Sequence, residues 1–285
     1  MSIYYVGKSI DTFEDIWNMW MGYAGVAAYI HADVLSFRCF AFSCGEDVTR
    51  WFSPVQSTQM ALVELCSNLG IGEMCSISPV SDWDGQLSEL KWPVLLADVC
   101  LDVEGAVVRK QFYHGTLPFC LLYRHSDGKH LVYASSGTPF IELSEEQVKD
   151  KFFDSKGYVV MGKFPLRVQL PSAREILHKG MQWRKNVRSK KEGLERLCSD
   201  SFERIRDRFS CASVQYGLMN YQIQLSKVVR FCAQEMKISD STIDELNSVL
   251  LRIPPIYRNQ TYGEIARIDE DFWTLIEKIE ENYYA

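Results

Sequence analysis

One stretch of this chain constrains its fold more than any other. In residues 92–143, apolar blocks of strand length stand between turn-forming residues. Residues 93–100 (PVLLADVC), 118–124 (PFCLLYR) and 130–135 (HLVYAS) predict three antiparallel strands. Between the last two stands Ser126-Asp127-Gly128-Lys129, where Asp-Gly favours the positive φ angles of a two-residue type I′ turn. Such a turn pairs Ser126 with Lys129 and, counting outward, Cys120 with Ser135 and Pro118 with Gly137. Pro118, Cys120 and Ser135 are then expected on one face, with His125 and His130 on the other.

The flanks read as helices and edge strands. Residues 12–30 carry Phe13, Ile16, Trp17, Trp20, Met21, Ala24 and Val26 at helical spacing, with Asp11 or Thr12 as cap. Residues 34–42 (VLSFRCFAF) predict a strand or a short buried helix, and residues 57–69 a helix stopped by Gly70. An edge segment near Ile77, a short helix over 84–90, a helix from 143 to 153 and a bulged strand or strand pair over 158–168 complete this half. From Pro171 strand signals cease, which places a boundary near Leu170 and predicts two domains, 1–170 and 171–285. Helices are expected over 173–188, 191–209, 216–236, 240–252 and 269–284, with Ser239 opening the fourth and Pro254-Pro255 stopping it. The expected class is α+β: an antiparallel sheet with an N-terminal helix, followed by an all-helical region.

Bulk properties narrow the function classes. A chain of 285 residues with 47% hydrophobic and 24% charged residues has an ordinary globular composition. Its formal net charge of −6 supplies no general attraction to nucleic acid or to an anionic membrane. No apolar run approaches the roughly 18 residues that span a bilayer, and no leader pattern opens the chain, so a cytoplasmic location is expected. The nine cysteines form no CxxC pair, which predicts reduced thiols that are mostly buried. The five histidines show no ligand spacing beside paired cysteines, and neither a metal nor a cofactor is expected.

Candidate chemistry is sparse. GxGxxG, P-loop and GxSxG motifs are absent, and Asp98 and Asp102 stand too far apart along an extended strand to share a proton. A basic stretch runs through Lys179, Arg184, Lys185, Arg188, Lys190, Lys191 and Arg196. It reads either as a docking face for an acidic partner, with Arg184, Lys185 and Arg188 at its centre, or as a solvated helix face offset by Glu192, Glu195, Glu203 and Asp207; the second is favoured. A thiol nucleophile needs a histidine within hydrogen-bond reach. His114 lies six extended residues from Cys120, on the order of 20 Å, and the expected register sets His130 across the sheet from it. Only a distant cysteine such as Cys39 or Cys44, meeting His114, could complete a site.

The order of these features resembles the papain-like N-terminal domain of the butirosin biosynthesis protein H family. The resemblance rests on Asp15-Ile16-Trp17, Leu69-Gly70-Ile71, the segment from Trp92 to Asp98, the strand from Pro118 to Tyr123, the return from Leu131 to Ser135, and Leu143-Ser144-Glu145-Glu146. It covers about the first half of the chain and implies a thiol acyltransferase or peptidase framework. The family's nucleophile would fall near Ile16 or Trp17, its histidine at Pro118 and its acid at Ser135, so all three catalytic roles stand vacated. A cleft lined by Trp17, Pro118, Cys120 and Ser135 is then expected to bind rather than to react. The function implied is a degenerate component of bacterial natural-product biosynthesis that binds a carrier protein, a partner enzyme or an intermediate, with a homodimer allowed. The alternative is an active acyl or aminoacyl transferase, or an amide-cleaving enzyme, using Cys39, Cys44, His114 or Cys120 as displaced groups.

Overall fold

The computed structural model describes residues 31–44, 52–56, 58–69, 74–77, 94–100, 116–124, 130–133, 141–143, 158–162, 171–188 and 211–282. The chain separates into two compact units: Met1–Ala32 with Thr58–Leu170, and Asp33–Ser57 with Pro171–Ala285. In chain order the described elements are α1 (Ala32–Leu35), β1 (Phe42–Cys44), β2 (Phe52–Pro54), α2 (Thr58–Asn68), β3 (Met74–Ile77), β4 (Val94–Cys100), β5 (Thr116–Arg124), β6 (His130–Tyr133), β7 (Ile141–Leu143), β8 (Tyr158–Gly162), α3 (Ala173–Arg188), α4 (Cys211–Glu235), α5 (Asp240–Leu250), α6 (Ile253–Asn259) and α7 (Glu264–Asn282).

In the first unit, β3 to β8 pair antiparallel in the order β3-β8-β4-β5-β6-β7. Helix α2 buries Ala61, Leu65 and Leu69, a stripe at intervals of four, and leaves Met60 exposed. The strand register differs from the sequence expectation by one residue. Leu121 pairs with Tyr133 and Arg124 with His130, so the chain between them spends five residues, 125–129, where a two-residue turn was expected. An odd loop length reverses the parity, and Cys120 now shares its face with His130 instead of opposing it. Four residues of register, about 13 Å, still separate the two. Pro118 donates no ladder hydrogen bond, and the pairing with β6 begins beyond it, at Leu121.

The second unit is a helical body. On α7, Ile265, Ile268, Phe272, Trp273, Ile276 and Ile279 are buried at spacings of three and four, the stripe of an amphipathic helix. Helix α5 starts where Ser239 accepts a hydrogen bond from the Thr242 backbone N–H at 3.3 Å. Pro254-Pro255 does not merely end that helix. The prolines sit in the first turn of α6, where a missing N–H leaves nothing unsatisfied, and α6 closes at Gln260 with a left-handed φ of 59°. Helices α4 and α7 begin five residues before the positions expected from periodicity, at Cys211 and Glu264.

Two assignments are therefore corrected. Residues 33–57, placed by sequence within the first domain, pack with the C-terminal helices, because Val34, Leu35, Phe37, Phe40, Ala41 and Phe42 are apolar side chains buried in that body. The α+β papain-like class is also corrected. The part of the chain whose side-chain packing is described is predominantly helical, and most of its buried apolar side chains come from α3, α4, α5 and α7. The leading helix expected over residues 12–30 lies outside the described residues.

Candidate functional site

The polar groups that the second unit buries gather where residues 33–42 meet α3, α4 and α7. Helix α3 brings Gly180 and Arg184 to one face, four residues apart. A Cβ at Gly180 would stand 2.3 Å from Phe40 Cζ, so only glycine admits the Phe40 ring against the helix. The ring stacks on Trp273 with centroids 5.1 Å apart, and its edge meets Phe37 at 5.8 Å. Phe37 holds a left-handed φ of 61°, a conformation that costs a bulky residue about 1–2 kcal/mol and that persists because its side chain is buried against Phe40 and Trp183.

Around this aromatic cluster the charges are spent on structure. Arg184 donates through Nη1 to the Phe40 carbonyl at 2.7 Å and through Nη2 to Asp269 Oδ2 at 2.5 Å, while its guanidinium lies 4.6 Å from the Trp273 ring centroid. Asp269 Oδ1 accepts from Tyr221 Oη at 2.9 Å and from Trp273 Nε1 at 3.1 Å. A second carboxylate, Asp33, pairs with Lys227 Nζ through Oδ2 and lies 3.5 Å from Arg38 Nη1 through Oδ1. Cys39 is fully buried, and its thiol donates to Gln224 Oε1 at 3.0 Å. Burial pushes the Cys232 thiol up to about 12, so it stays protonated at neutral pH.

These positions settle where several expected site residues stand. Arg184 leaves the docking face predicted for it, because its guanidinium is the buried partner of Asp269. Lys185 is exposed and lies 3.2 Å from Glu277; Lys179 lies 2.9 Å from Glu175. Arg188 ends α3, Cys44 ends β1, and Pro118 and Cys120 stand in β5; the surroundings of these four side chains are not described. Trp17, His114 and Ser135 lie outside the described residues. Cys39, a candidate nucleophile by sequence, is fully buried and bonded to Gln224.

Sequence reasoning overlooked Asp33, Gln224, Lys227 and Asp269. A signal for two of them was present: Asp269 falls on the apolar stripe of α7, and Lys227 is enclosed by Leu225, Val228 and Val229. A charged residue at a core position requires a buried counterpart. At the rim, His178 Nδ1 lies 2.5 Å from Glu280 Oε1, and its Nε2 lies 2.7 Å from Gln182 Nε2. Among the described residues no group of three or more His, Cys, Asp and Glu side chains could hold a metal ion, and no helix is long and apolar enough to cross a membrane.

The arrangement can hold segments together, and its polar atoms are directed inward. Comparison with protein-family models finds no match, and comparison with curated proteins finds none.

Proposed function

We propose that this chain is a cytoplasmic, non-catalytic component of bacterial natural-product biosynthesis of the peptide or polyketide type, acting by binding a partner enzyme, a carrier protein or an intermediate. The observation that carries the reading is the state of Cys39. A nucleophilic thiol must ionise and meet solvent, whereas this one is enclosed and committed to a neutral amide oxygen. Cys232 adds the same argument from desolvation. The buried charges of the helical unit, Asp33, Arg184, Lys227 and Asp269, likewise pair with one another.

An electrophilic thioester probe applied to the full-length protein, with the modified peptides located by mass spectrometry, tests this directly. Cys39 and Cys232 should remain unlabelled until denaturant is added. Stoichiometric acylation of Cys39 in the native protein, with release of the acyl group to an acceptor, would defeat the binding reading and restore the transferase. For the partner, immobilised carrier proteins should retain the wild type and lose it on Lys179→Glu with Lys185→Glu, the two exposed lysines of α3. Retention by no carrier at low salt would remove that class of partner.

A further inference from the structure

We propose that His178 is a phosphoryl acceptor: its Nε2 takes a phosphoryl group from an acyl phosphate, with Glu280 as positioning residue and Gln182 as donor to the incoming group. The geometry fixes which nitrogen reacts. Gln182 Nε2 can only donate, so the His178 Nε2 that stands 2.7 Å away accepts and carries the lone pair. The ring proton is then on Nδ1, which donates it to Glu280 Oε1 at 2.5 Å. The two bonds lie at different depths: the one to Glu280 is half-buried and the one to Gln182 is exposed. The Glu280 side chain, reaching across from α7, is 14% exposed and that of His178 43%. An imidazole nucleophile needs this arrangement, with one nitrogen anchored on a carboxylate and the other presented to its substrate.

The step balances on these groups and one donor. The Nε2 lone pair forms the N–P bond, the P–O bond to the acyl group breaks, and a carboxylate leaves with that electron pair. The imidazolium keeps its Nδ1 proton, and Glu280 supports its charge. Helix α3 favours a phosphoryl group over a neutral acyl group. Arg174, His178, Gln182 and Lys185 follow one another at spacings of four, four and three, hence along one face of the helix. A dianion on Nε2 would stand on a stripe that begins with a guanidinium and ends with an ammonium, beside an amide that donates to its oxygens; an acyl group would leave that charge unused. One imidazole and one carboxylate are too few ligands for a metal ion. A phosphoryl acceptor is a site of modification, so the assignment stands beside the binding reading and does not depend on it.

Incubation of the full-length protein with acetyl phosphate tests the proposal. The expected product is one phosphoryl group per chain, stable to alkali and labile to acid, on the peptide that holds His178, with phosphorus NMR reporting the Nε2 isomer alone. His178→Gln should abolish it. Glu280→Gln should slow the transfer about a hundredfold and let the Nδ1 isomer appear, because an amide can donate to Nδ1 and present the wrong tautomer; Glu280→Asp should restore the single isomer. An unmodified His178, label spread over the other four histidines, or an Nδ1 product in the wild type would overturn the proposal. If Glu280→Gln does not fold, Gln182→Ala at an exposed position takes its place. Transfer about tenfold slower to the same nitrogen is then expected, and a rate equal to that of the wild type would overturn the proposal as well.

Discussion

The two buried carboxylates of the helical unit are held in opposite ways. Asp269 sits among helices and meets Arg184 from α3, Tyr221 from α4 and Trp273 from its own helix, so one charged and two neutral donors occupy its two oxygens. Asp33 sits on the segment of residues 33–42 and stands between two cations, Lys227 and Arg38. The first site joins elements that helical packing already brings close. The second joins the segment farthest away in sequence, and it uses charge where the first uses geometry. A buried ion pair need not add stability over an apolar pair of the same volume, but its separation leaves a desolvated charge at large cost. Such pairs therefore serve to select one arrangement of segments.

That contrast predicts an order of effects. Asp269→Ala takes the carboxylate from the Arg184 guanidinium and from two further donors and should cost about 3–5 kcal/mol in denaturant unfolding. Lys227→Met leaves Asp33 beside Arg38 and keeps the volume of the side chain, so a cost of about 1–3 kcal/mol is expected. Equal losses would mean that Arg38 does not share the Asp33 charge, and a reversed order would break the comparison. Gly180→Ala tests the seating of residues 33–42 without touching a charge. The added carbon must displace the Phe40 ring from its stack on Trp273, at about 1–3 kcal/mol, and a nearby Phe40→Leu in the same chain should recover part of the loss.

The reach of sequence reasoning follows the same division. Periodicity located α5 and α7, because local patterning decides an amphipathic helix whatever its neighbours are. Strands at 94–100, 116–124 and 130–133 stand where alternation put them, but the turn between the last two takes five residues, and one residue of slip reassigned Cys120 and His130 to a common face. The run VLSFRCFAF announced burial without saying against what. Its partners Gly180, Gln224 and Trp273 lie 140 or more positions away, and no local pattern encodes such a pairing. The placing of that run in a first domain of residues 1–170 followed from assigning it to its neighbours in sequence. Arg184 was misjudged for a related reason: one basic residue among several on α3 turns inward, and its acid resides on α7.

The smallest effect concerns a group on the helical side that carries no charge. Cys232 lies on α4 and is kept protonated by burial, its pKa raised from an ordinary 9.0 to about 12. In the unfolded chain the thiol ionises near its ordinary value, so between these limits the folded state binds more protons and stability falls as pH rises. The contribution is complete below pH 9 and is lost as pH climbs toward 12. At pH 10 the loss amounts to about 1 kcal/mol. Cys232→Ala should flatten the alkaline limb of the stability profile by that amount while costing a constant packing term at neutral pH. If instead the limb is as steep without the thiol as with it, the interior around α4 admits water. The contrast between a dry helical side and a charge-bridged segment at residues 33–42 would then disappear.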